Sequence, residues 1–139
     1  MPVPPEILLH VRRCVAKADD DLDAAARLFA TDSGLYAIIG FHAQQAAEKY
    51  LKALLVLGAV PFPRTHDLTG LRALLPAGQV PALADLPLEL LTRFSVEERY
   101  PGDADPLTPA EVRTAIATAH LVREAVRGAL PTDALPPNG

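Results

Sequence analysis

Apolar residues recur along this chain at steps of three and four, the spacing of one helical face. From about Glu6 to Phe29, the residues Ile7, Leu8, Val11, Val15, Ala18, Leu22, Ala25 and Phe29 form a single stripe. Asp19, Asp20, Asp21 and Asp23 fall largely opposite it, which reads as a solvated surface. Thr31, Asp32, Ser33 and Gly34 make the turn that follows. A second helix is expected from about Leu35 to Leu57, with Gly58 as its C-cap. Tyr36, Ile39, Ala43, Ala46, Ala47, Tyr50 and Leu54 share its core face. Phe41, Gln45, Glu48, Lys52 and Leu55 lie opposite, flanked by Ile38, His42, Lys49 and Val56. This second face mixes apolar and polar residues, so it fits another helix, a second copy of the chain or a ligand.

Beyond Gly58 the pattern shortens. A loop carrying Pro61 and Pro63 leads to a short helix from about His66 to Leu75, with Thr65 placed to cap its first turn. Another helical segment is expected over 82–98, bent or restarted near Pro87 and stopped by Tyr100, Pro101 and Gly102. The last helix has the plainest start. Thr108, Pro109, Ala110 and Glu111 read as N-cap, N1, N2 and N3 of a capping box. Val112, Ile116, Ala119, Val122 (or Arg123) and Val126 continue it to about Leu130. No segment shows the sustained alternation of a strand. Three long helices and one or two shorter ones make an all-α bundle, with residues 1–130 as one domain and 131–139 as a frayed tail.

Composition narrows the chemistry. With 139 residues, half of them hydrophobic, the chain suits one folded domain. Cys14 is the sole cysteine, which excludes a disulfide scaffold and a four-cysteine zinc site. No apolar run approaches the ~20 residues of a membrane span, and the first residues lack a secretory pattern, so a cytoplasmic location is expected. Thirteen basic against seventeen acidic residues give a net charge of −4, so any phosphate binding must come from a local cluster. No glutamate has a histidine three residues on, and His10, His42, His66 and His120 pair on no helical face at i, i+4. A di-iron bundle or other metal centre is therefore not expected, and no cofactor is called for. Cys14, beside Arg12 and Arg13, reads as a packing residue.

The most informative stretch is Phe41-His42-Ala43-Gln44-Gln45-Ala46-Ala47-Glu48-Lys49-Tyr50, followed by Thr65-His66-Asp67-Leu68 and later by Arg99-Tyr100-Pro101. In order and spacing this resembles the HEPN family (higher eukaryotes and prokaryotes nucleotide-binding), over roughly residues 6–130. The resemblance implies a five-helix domain built on an up-and-down bundle, usually dimeric. It implies a nucleotide- or RNA-binding module whose partner is often a minimal nucleotidyltransferase, as a toxin–antitoxin or nucleotide-sensing pair. Some members are metal-independent ribonucleases that use an Arg followed after four to six residues by a His. Arg113 and His120 match that spacing here, two turns apart on one helical face. A guanidinium can fix a phosphate while an imidazole moves protons near neutral pH. The same two residues also fit an ordinary bundle helix with a surface arginine.

A candidate binding site follows from the family's shared motif. It comprises His42, Gln45, Lys49 and Lys52 of the second helix, Arg64 and His66 of the next loop, and Arg99 and Tyr100 after the fourth segment. If the bundle gathers them, a small electropositive pocket results. A purely structural role for the same residues is the alternative, with Thr65 and Asp67 capping a helix and Arg99 pairing with Glu48 or Asp67. Three functions thus stand at this point: a nucleotide- or RNA-binding module, a ribonuclease using Arg113 and His120, and a non-catalytic dimeric subunit joined through Phe41 and Leu55.

Overall fold

The computed structural model describes residues 2–95 and 107–137. Five α-helices run through them: α1 Pro5–Ala30, α2 Tyr36–Leu57, α3 Leu68–Ala73, α4 Glu89–Thr92 and α5 Pro109–Ala129. There is no strand among the described residues, and the architecture is the all-α, five-helix up-and-down bundle expected.

Helix α1 buries the stripe the spacing defines, Val11, Val15, Ala18, Leu22 and Ala25. It ends in a Schellman motif, with Asp32 left-handed (φ 53°) and the Ser33 amide reaching back to the Leu28 carbonyl at 3.4 Å. Ser33 Oγ donates to that carbonyl at 2.9 Å. Helix α2 ends the same way, but with a shift from expectation. Gly58 sits at an ordinary φ of −82°, and Ala59 takes the left-handed position at φ 53°. The bonds Val60 N–Leu55 O (2.9 Å) and Ala59 N–Val56 O (3.1 Å) complete the motif around an alanine.

Pairs of contacts set the helix directions. Ala25 of α1 clusters with Ile39 of α2 and Val112 of α5, whereas Asp19 of α1 meets Tyr50 of α2 and Arg123 of α5. Thus α1 is antiparallel to α2, and α5 is parallel to α2. The return leg is the broken segment 68–95, whose two ends meet where the Leu68 amide donates to Thr92 Oγ1 (3.3 Å), and Phe94 packs on Gly40 near the start of α2. A Cβ on Gly40 would stand 2.2 Å from Phe94 Cδ1, so the ring occupies the space a side chain would fill.

Within that return leg, the helical segment expected over 82–98 is restarted near Pro87 as read, but its pieces are shorter. A 3-10 turn at Pro81–Leu83 and the four-residue α4 are those pieces, and Pro87 separates the two. Arg72 ties the segment together by donating to the carbonyls of Leu83 (3.0 Å) and Leu86 (2.7 Å). The end of the expected helix, with Arg99 and Tyr100, lies outside the described residues. Thr65 does not cap α3; the N-cap position is Asp67, whose amide donates to Thr65 Oγ1 at 3.1 Å in a local turn. The capping box of α5 is formed as read: Thr108 Oγ1 accepts from the Glu111 amide (3.2 Å) and Glu111 Oε1 from the Thr108 amide (3.1 Å). The segment read as a frayed tail packs back on the bundle. It makes a 3-10 turn at Thr132–Ala134, buries Ala134 and offers the Asp133 carbonyl to Arg12 at 2.6 Å.

α2 is the centre of the molecule. Its buried residues include Ile39, Ala43, Gln44, Ala46, Glu48, Tyr50, Leu51, Ala53, Leu54 and Leu55, which cover about 220° of the helix and leave one side, with His42, Gln45, Lys49 and Lys52, half exposed. The mixed second face is covered only in part, with Glu48 and Leu55 buried and Ile38 exposed. Leu55 is fully buried there and Phe41 partly so.

Candidate functional site

The α2 residues singled out by sequence share one side of the helix. Taking about 100° per residue, His42, Gln45, Lys49 and Lys52 fall within about 80° of one another. Two carboxylates anchor this row. Asp21 of α1 meets His42 Nδ1 through Oδ1 (2.9 Å) and Lys49 through Oδ2. Glu48 of α2 meets His66 Nδ1 through Oε1 (2.7 Å) and Lys52 through Oε2 (2.9 Å). Each carboxylate thus holds one histidine and one lysine, an oxygen apiece.

The carboxylates lie deeper than the groups they hold. The side chains of Glu48 and Asp21 are 6% and 14% exposed, against 22–34% for Lys52, His42, Lys49 and His66. Burial alone would raise the Glu48 pKa. Hydrogen bonds from Lys52, His66 and Gln44 overcome this and hold the carboxyl below its ordinary value. Gln44, fully buried, donates to Glu48 Oε1 (3.2 Å) and to the His66 carbonyl (3.3 Å), so it pins the loop to α2. Gln45 donates to Gln44 Oε1 at 2.8 Å. Lys52 also lies over the Phe62 ring at 5.7 Å, which fixes the loop from its other side. Burial pushes the Cys14 thiol up in pKa, against the nearby charges of Lys52 and Lys49, so this cysteine is a poor nucleophile.

The structure thus brings together five of the eight expected binding residues: His42, Gln45, Lys49, Lys52 and His66. Arg64 follows two residues before His66, exposed to solvent. Arg99 and Tyr100 fall outside the described residues. The electropositive character expected is tempered. With neutral imidazoles, Lys49 and Lys52 balance Asp21 and Glu48 among the described residues, and Arg64 adds one positive charge.

Arg113 and His120 stand elsewhere, both exposed on the outer side of α5. The Arg113 guanidinium lies 5.5 Å from the Phe29 ring centre. A cleft between α4 and α5, lined by Leu90, Arg93, Phe94, Glu111, Thr114 and Ala115, has a volume of about 120 Å³ and includes none of the expected site residues. Among the described residues, no group of three His, Cys, Asp or Glu side chains is placed to hold a metal ion. Nor is any helix among them long and apolar enough to cross a membrane.

A second polar cluster escaped the sequence reading. Asp19 accepts from the Tyr50 hydroxyl and from Arg123 Nε (3.2 Å), with Arg127 Nη1 at 3.6 Å. It joins α1, α2 and α5 at mid-height. Burial and the Asp19 carboxylate together push the Tyr50 phenol far above its usual pKa, so it stays a donor. Burial works against the Arg123 charge, but Asp19 overcomes it and raises the pKa. The acidic run is therefore split. Asp19 and Asp21 face helices, while Asp20 and Asp23 are exposed and Asp23 pairs only locally with Arg27 at 2.8 Å.

Comparison with known proteins agrees with this architecture. The crystal structure of TT1696 from Thermus thermophilus is similar, with a TM-score of 0.69 and 28% sequence identity over 86% of this chain and 98% of that one. No curated protein matches the chain. A family model described as the HEPN domain matches residues 11–129, a span that takes in the α2 row, the His66 loop and α5. The chain therefore belongs to the HEPN-domain family.

Proposed function

We propose that this HEPN domain is a nucleotide- or RNA-binding module, and that its ligand lies along the α2 row. The observation that carries this reading is the layering of the row. Lys49, Lys52, His42 and His66 face outward over Asp21 and Glu48, so their nitrogens are held in place before any ligand arrives. Lysine is a natural phosphate partner, and Gln45 and the imidazoles suit sugar or base edges. Arg64 adds a cation at the margin. The module works beside a minimal nucleotidyltransferase as a toxin–antitoxin or nucleotide-sensing pair, with the domain itself a homodimer.

The test is calorimetry of the full chain against ATP, GTP and a short single-stranded RNA. Saturable binding is expected, weakened about tenfold in Lys49→Ala or Lys52→Ala and less in Arg64→Ala. Flat titrations with folded protein overturn the proposal. Co-purification with the product of an adjacent nucleotidyltransferase gene tests the pairing.

One observation favours a second reading. Arg113 and His120 are both exposed on one side of α5, about two turns apart, where a strand of RNA can reach them. A metal-independent endoribonuclease built on them cleaves RNA in EDTA and loses that activity in His120→Ala. Intact RNA, or cleavage that survives the substitution, removes this reading. The third idea, a seam through Phe41 and Leu55, keeps only Phe41, because Leu55 is buried in the chain's own core.

A further inference from the structure

The Asp21 end of the α2 row carries an asymmetry that a phosphate alone does not use. Asp21 lies beneath His42 and Lys49, 14% exposed against their 30% and 31%. An ionised carboxylate can only accept hydrogen bonds, so the proton between it and His42 sits on Nδ1. In the neutral imidazole this leaves a lone pair on Nε2, the nitrogen turned away from the carboxylate. Nε2 has no hydrogen-bond partner among the described residues. Phe41 meets the ring edge-on, 6.0 Å between centroids at 62°.

An acceptor thus stands beside an ammonium donor. Because both share one carboxylate, His42 Nδ1 and Lys49 Nζ are no more than ~8 Å apart. A phosphate satisfies Lys49 but offers nothing to a lone pair. The fitting ligand carries a hydroxyl donor next to a phosphate. A ribose 2′-hydroxyl stands on the carbon adjacent to the one bearing its 3′-phosphate, and deoxyribose lacks it.

We infer that His42 is a specificity-determining residue, which selects RNA over DNA by accepting a hydrogen bond from a ribose 2′-hydroxyl while Lys49 contacts the neighbouring phosphate. The inference rests on the nucleotide-binding reading of the α2 row. Asp21 is a positioning residue in it: the carboxylate fixes the imidazole tautomer. In Asp21→Asn the amide can donate to Nδ1, which moves the ring proton to Nε2 and turns the acceptor into a donor.

The experiment is fluorescence anisotropy of the full chain at about pH 8, in EDTA. The probes are labelled single strands of about ten nucleotides and one sequence, made as RNA, as DNA and as 2′-fluoro RNA. The fluoro sugar keeps an RNA-like pucker but has no O–H to donate. RNA is expected to bind about fivefold tighter than either analogue, the worth of one neutral hydrogen bond. His42→Ala and Asp21→Asn should bind all three strands alike, whereas Asp20→Asn, an exposed neighbour, should keep the preference. Equal affinity of the unmodified protein for RNA and 2′-fluoro RNA overturns the inference and leaves nucleotide binding standing. A preference that survives in His42→Ala overturns it as well. Absence of binding to all three strands overturns the inference together with the RNA-binding form of the proposed function. The comparison of the three strands needs no variant, so poor folding of a mutant does not blunt it.

Discussion

Ala59 occupies a backbone position that side chains avoid. Its φ of 53° closes the Schellman motif of α2, while Gly58 next to it has no need of its freedom. Ala59→Gly should therefore stabilise the chain by about 0.5–1 kcal/mol, seen as a higher midpoint in urea with an unchanged slope. Glu48 gives a prediction with a sign. Its pKa is lower in the folded chain than in the unfolded one. Its contribution is thus present above the unfolded value and lost as pH falls through the folded one. Glu48→Gln should lower stability at neutral pH and show a shallower decline between about pH 5 and 3, measured as thermal midpoint against pH. A parallel decline in both proteins would show that the Glu48 pairs contribute nothing to acid sensitivity.

The residue scale is also where the sequence was hardest to read. Asp19, Asp20, Asp21 and Asp23 look alike as letters, and a solvated face explains all four. Helical geometry separates them. Relative to the stripe of Val11, Val15, Ala18, Leu22 and Ala25, Asp19 and Asp21 lie about 70–90° to either side, at the edges where neighbouring helices arrive. Asp20 and Asp23 lie farther round. The flanking angle was present in the spacing. Which donor would meet each carboxylate was not, because Tyr50, Lys49 and Arg123 approach only after two other helices are placed. His42, Lys49, Lys52 and His66 were visible by type and motif, but their shared dependence on Asp21 and Glu48 is a property of packing.

At the scale of elements, strong local signals fixed α1, α2 and α5. Long periodic stripes and the Thr108–Glu111 capping box specify them within a residue or two. The leg between α2 and α5 carries no comparable signal. Its apolar residues come in short bursts separated by Pro76, Pro81 and Pro87, and tertiary contacts decide how much of each burst becomes helix. The Phe94–Gly40 contact is one such decision. Gly40→Ala adds a carbon where the Phe94 ring lies, and Phe94 is 4% exposed with little room to retreat. A loss of about 1–3 kcal/mol is expected, partly recovered by adding Phe94→Leu. Chemical denaturation of the single and double variants measures both. A neutral Gly40→Ala would mean that the return leg packs on α2 more loosely than this contact implies.

For the molecule as a whole, three connections hold the ends of the bundle in register. The Asp19 cluster ties α1, α2 and α5 at mid-height, the Gln44–Glu48–His66 bonds tie the following loop to α2, and Arg12 ties the last turn to α1. Two of these converge on the central helix α2, whose outward row is its one half-exposed side. Backbone amides in the middle of α2, from Ala46 to Ala53, have no local fraying route to solvent. Their deuterium uptake should therefore proceed through complete unfolding alone. The free energy from their exchange rates should equal that from a denaturant melt, while amides in 68–95 exchange through smaller openings. The row of lysines and histidines is mounted on the slowest-exchanging part of the chain, so ligand capture there should slow exchange of the α2 amides by the factor with which it stabilises the whole fold.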